Sequence, residues 1–148
     1  MSINIRHSVT LFPQPTNMTC WSAAATMLFG NMSVGSGGAT TSAGGGLNSS
    51  SGNVRTFADS FGLAFHYPQS WTVDGLAGLM GRGPLWVGGM LPSMHAIVIG
   101  AMKGNGTPNG TILTIYDPWP PNVGRVYNIS YGRLMNNFPM ATMYILHR

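Results

Sequence analysis

The chain has 148 residues, of which 44% are apolar and only 7% charged, where about 25% charged is usual for a soluble domain. Three aspartates (Asp59, Asp74, Asp117) are its only acidic side chains, glutamate is absent, and Cys20 is the single cysteine. That composition excludes Glu-based glycosidases, H-E-x-x-H metalloproteases, calcium loops with clustered acids, intrachain disulfides and thiolate zinc clusters.

The length fits one domain, read here as residues 1–148 with a flexible Gly/Ser-rich insert at 30–52. The net charge is +4 and the pI 9.7, but the seven basic residues are spread singly, so no nucleic-acid partner is expected. Residues 1–15 lack the apolar stretch of a classical signal peptide, and no apolar run reaches the ~20 residues of a membrane span. No membrane partner is expected.

Taken in chain order, Cys20–Phe29 (CWSAAATMLF) reads as a helix, capped by Thr19 or Asn17 and ended by Gly30. It has almost no polar face, which predicts burial. The Gly/Ser/Thr/Asn stretch that follows reads as a surface loop. A helix is predicted over 53–61, with Val54, Phe57, Ala58 and Phe61 on one face, then a short extended piece at 64–67. Thr72 caps another helix over 73–80, stopped by Gly81. From there the period changes to that of strands: 84–90, 95–102, 111–116, 124–129 and 142–146, with a short helix over 131–137. Helices first and an antiparallel sheet second is an α+β layout.

A lone cysteine is ordinarily a small buried hydrophobe. Cys20, however, opens a helix, where first-turn N–H groups and the helix dipole favour a thiolate. Gln14 lies six residues upstream in a Pro-bracketed stretch. His95 heads an apolar strand, His95-Ala96-Ile97-Val98-Ile99-Gly100, and the next strand runs out at Asp117-Pro118. In a hairpin the start of one strand lies beside the end of the next, so His95 and Asp117 come out as neighbours. An aspartate that orients an imidazole lets its other nitrogen take a thiol proton. Trp86, Trp119 and Tyr116 are either cleft or core aromatics. His7, His66 and His147 are read as incidental, and Asp59 and Asp74 as helix-surface charges.

Gln14, Cys20-Trp21, the small-residue helix, His95-Ala96-Ile97-Val98-Ile99-Gly100 and Asp117-Pro118 together resemble the papain-like cysteine peptidases. The likeness is to their compact bacterial branch, the bacteriocin-leader-processing peptidases and related effector and toxin peptidases. Met18-Thr19 before the nucleophile and the short Cys20–His95 separation depart from the large plant and lysosomal enzymes. The resemblance implies a papain-like fold with the nucleophile helix packed on a C-terminal antiparallel sheet. It implies Cys20 as nucleophile, His95 as general base and acid, Asp117 as orienting residue, and Gln14 as oxyanion donor together with the Cys20 N–H. It implies no cofactor or metal, and a protein or peptide as substrate. A monomeric secreted effector or toxin is expected, made in the bacterial cytoplasm and delivered to a target cell, with a cognate immunity protein as a further partner. A deamidase or transglutaminase-type acyl transferase on the same triad, and a non-catalytic binding module, are the alternatives.

Overall fold

The computed structural model describes residues 2–30, 34–90, 94–138 and 142–148. Its elements, in chain order, are β1 (Ile3–Arg6), α1 (Cys20–Phe29), α2 (Ser51–Ser60), β2 (Ala64–His66), α3 (Val73–Met80), β3 (Leu85–Met90), β4 (Met94–Gly104), β5 (Thr111–Asp117), β6 (Arg125–Ser130), α4 (Tyr131–Asn137) and β7 (Tyr144–His147). The strands form one seven-stranded antiparallel sheet in the order β2-β7-β3-β4-β5-β6, with β1 also paired to β4. The architecture is α+β.

Strand β4 organises the sheet. Its residues 94–99 pair with β3, those from Val98 onward with β5, and Ala101–Gly104 with β1 as well. The change of neighbour coincides with a register shift between Ile99 and Ala101. Gly100 occupies that irregularity because a Cβ there would stand 2.5 Å from the Tyr116 ring. Residues 2–6 read as a simple arm in sequence, since INIR is too short to show a period. Only the pairing of Ile3–Arg6 with Ala101–Gly104 makes them a strand.

Alternation along the strands divides the core in two. On one face, Trp86, Ala96, Val98 and Leu146 pack with α1 and α2 through Trp21, Ala24, Leu28, Val54 and Phe57. On the other, Leu85, Val87, Ile97, Ile99, Leu113 and Ile115 pack with α3 and α4 through Leu76, Met80 and Leu134. Helices therefore cover both faces of the sheet. The C-terminal helix and the second of the two predicted mid-chain helices fold onto the face that α1 leaves open.

Helix α1 spans the residues read from sequence, with Gly30 at its C-cap in a positive-φ conformation (85°). Thr19 stands at the N-cap without a side-chain capping bond; its Oγ1 instead accepts from the Thr16 N–H at 3.3 Å and pairs with the Thr16 hydroxyl at 2.8 Å. The glycine-rich stretch after α1 is tied down at several points. Trp21 Nε1 donates to the Gly45 carbonyl (2.8 Å), Thr41 bridges to Leu47, and Val34 and Leu47 are buried. Among the described residues no helix is long and apolar enough to cross a membrane.

Candidate active site

Three elements meet at one end of the sheet. Cys20 is the first residue of α1, His95 the second residue of β4, and Asp117 the last residue of β5. The β4–β5 register pairs Val98 with Tyr116, so one further step sets Asp117 level with Ile97 and makes His95 its diagonal neighbour on the same face. Such diagonal pairs lie within reach of long side chains. The observed contact is His95 Nε2 to Asp117 Oδ1 at 3.2 Å.

Cys20 belongs to the core on the opposite face of the sheet and is 2% exposed. It nevertheless hydrogen-bonds the His95 ring. The imidazole thus spans the sheet edge, from a carboxylate on one side to a thiol on the other. Burial alone would lower the His95 pKa; hydrogen bonds to Asp117 and Cys20, and the charges of both, outweigh it and raise the pKa to about 9. The ring is held as imidazolium through neutral pH.

The Asp117 carboxylate is itself fixed. Its side chain is 4% exposed, Oδ1 also accepts the Trp119 backbone N–H at 3.0 Å, and Arg125 donates to Oδ2 at 3.4 Å. Beside His95 and Asp117 lies a cavity of about 380 Å³, walled by Trp119, Tyr127, Ile129, Leu134 and Phe138, with Arg125 at its edge. The Phe138 ring lies 5.7 Å from that of His95.

The family model described as papain-like cysteine protease AvrRpt2 matches residues 2–131, which include Gln14, Cys20, His95, Asp117 and Arg125, while Leu134 and Phe138 of the cavity wall lie beyond the match. The chain belongs to that family. It is therefore a papain-like cysteine protease. No curated protein sequence matches the chain.

Other residues singled out from the protease sequence fall as follows. Gln14 is fully buried, and its backbone is bonded on both sides to the loop after Asp117: its N–H to Pro118 O at 3.0 Å, its carbonyl to Asn122 N–H at 2.8 Å. Its Nε2 donates to Thr16 O at 2.7 Å, which fixes the amide orientation, because a carbonyl can only accept. Trp86 is a core residue whose Nε1 donates to Trp21 O at 3.0 Å, and Tyr116 packs against the α1–α2 core. Trp119, 40% exposed, is the one of the three aromatics beside the site. His66 and His147, read as incidental, face each other Nε2 to Nε2 at 2.9 Å across β2 and β7. Arg55 and Asp59 approach to 4.0 Å along α2, and Asp74 lies in the first turn of α3. Among the described residues, no three His, Cys, Asp or Glu side chains gather as metal ligands.

Sequence reasoning missed Arg125 and, apart from Trp119, the wall of the cavity. Arg125, Tyr127 and Ile129 share one face of β6 by simple alternation. Their meeting with Asp117 depends on the β5–β6 register, which pairs Asp117 with Arg125.

Proposed function

We propose that this protease is an endopeptidase acting through Cys20, His95 and Asp117, with Gln14 and the Cys20 N–H binding the oxyanion. The observation that carries the reading is the His95 ring set between a buried carboxylate, at 3.2 Å, and the only thiol in the chain. The thiolate attacks the scissile carbonyl carbon, and charge builds on the carbonyl oxygen. First-turn amides point outward along a helix axis, and in this reading the Cys20 N–H donates to that oxygen. Gln14 Nε2 has a second hydrogen beyond the one given to Thr16. Removing one such donor costs on the order of 10²–10³ in rate.

As the tetrahedral species collapses, His95 gives its proton to the leaving amine. The first product departs and an acyl-enzyme remains on Cys20. His95, now neutral, takes a proton from water; the resulting attack releases the carboxylate product and restores the ion pair. The substrate is a protein or peptide, and the chain acts as the catalytic domain of a bacterial secreted effector or toxin, made in the bacterial cytoplasm and delivered to a target cell. The family resemblance and the small single domain support this assignment.

The test compares wild type with Cys20→Ala in a proteome-wide survey of new N-termini. New termini should appear with wild type and vanish with Cys20→Ala, while the circular dichroism and melting of the two remain alike. Equal termini from both proteins would refute the reading. A mass increase of about one unit at glutamine, with an intact backbone, would assign deamidation instead.

A further inference from the structure

We propose that Arg125 is a positioning residue for the triad, holding the Asp117 carboxylate from across the strand pair and partly offsetting its charge. This rests on the reading of Cys20, His95 and Asp117 as the catalytic set. Asp117 Oδ1 already serves two donors, the His95 ring at 3.2 Å and the Trp119 N–H at 3.0 Å. Oδ2 is met by Arg125 at 3.4 Å. That distance is long for a hydrogen bond, so the guanidinium acts on the carboxylate chiefly as a charge.

The placement is set by the backbone. Asp117 and Arg125 are directly paired in the β5–β6 register, so their side chains leave the same face. Two residues on, the Tyr127 ring lies 5.6 Å from the guanidinium carbon and gives it a second seat. The pair is lopsided: the Arg125 side chain is 59% exposed and that of Asp117 only 4%. A hydrated guanidinium contributes little to stability through such a pair. Its effect falls on the buried carboxylate, and through it on His95.

The titratable or charged groups facing His95 and Asp117 are Cys20 from α1 and Arg125 and Tyr127 from β6. Helix α4 and the residue after it present Leu134, Asn137 and Phe138 to the same cavity, none of which titrates. Arg125 is therefore the only cation in this set that opposes the imidazolium. Removing it leaves the Asp117 charge fully felt and removes a like charge from the neighbourhood of the ring. Both changes make His95 keep its proton to higher pH.

The test uses Arg125→Met, Arg125→Gln and Arg125→Lys in two assays. One is the pH dependence of Cys20 alkylation by iodoacetamide, which needs no peptide substrate. The other is the pH dependence of kcat and KM on a peptide taken from the N-terminal survey. In the Met and Gln variants the alkaline limb should move up by on the order of half a pH unit, and kcat should fall several-fold with KM within about twofold. Arg125→Lys, which keeps the charge, should return the limb to its wild-type position. An unmoved limb, a limb displaced downward, or a rise in KM alone would overturn the proposal; the last would make Arg125 a substrate contact. Arg125→Gln keeps the experiment decisive if the Met variant does not fold. Wild-type Cys20 alkylating at neutral pH no faster than a free peptide thiol would sink the triad reading itself, and this proposal with it. A fast wild type with unshifted variants would sink this proposal alone.

Discussion

His95 carries a proton that its burial disfavours, and the balance is decided by two partners. Its pKa of about 9 is the net of desolvation, which lowers it, and of Asp117 and Cys20, which raise it further. Asp117→Asn removes the charge and keeps the shape, so the His95 pKa should fall. The alkaline limb of kcat/KM should then move toward neutral by on the order of one pH unit, read from initial rates between pH 6 and 10. This is opposite in sign to the shift expected for Arg125→Met, so the two variants bracket the electrostatics of the ring. A limb unmoved in Asp117→Asn would mean that Asp117 orients the ring without charging it. The residue types were legible in the sequence, because one thiol, three carboxylates and four imidazoles leave few combinations. The cation beside Asp117 was not, since Arg125 looks like any other isolated basic residue until the strands are paired.

At the scale of elements, β3 and β4 form the platform on which α1 rests, and Trp86 is the largest fully buried side chain there. The indole is completely buried, its Nε1 donates to the Trp21 carbonyl at 3.0 Å, and its ring lies 6.2 Å from that of Phe57. A single residue thus joins the sheet to the helix that carries Cys20 and to α2. Trp86→Ala should cost about 3–5 kcal/mol, seen as a lower urea midpoint with an unchanged slope. Cys20 alkylation should slow as well, because α1 loses its support. The helices over 20–29 and 73–80 could be read from sequence because local signals mark their ends: Gly30 closes the first, and Thr72 accepts from the Gly75 N–H at the start of the second. Strand β1 could not, because its four residues become a strand only by pairing with residues 101–104 of β4.

Across the whole molecule, the His95–Asp117 pair links folding to pH. The His95 pKa is raised on folding from 6.5 to about 9, so the folded state holds this proton more tightly. The associated stability is fully present below about pH 6.5 and is lost as pH rises through 9. The His95 contribution to the unfolding free energy should accordingly fall as pH rises from about 6.5 through 9. Urea titrations at several pH values would measure it, and His95→Asn should flatten the curve over that window. A wild-type curve already flat there would show that the pair contributes nothing to folding.

The amino-acid sequence by itself determined the chemistry available to this protein and the ends of most of its helices. A single thiol at a helix start, a histidine heading an apolar strand and an aspartate closing the next are local facts, and local turn and cap signals place them. Hairpin geometry even brings His95 and Asp117 together, because strand pairing follows from adjacency in the chain. The tertiary structure decided what adjacency cannot. Cys20 packs on one face of the sheet while His95 and Asp117 belong to the other, and only the edge where β4 starts and β5 ends lets one imidazole reach both. The β5–β6 register then set Arg125 beside Asp117. Contacts of this kind depend on which faces are buried together, and that depends on the packing of the whole core.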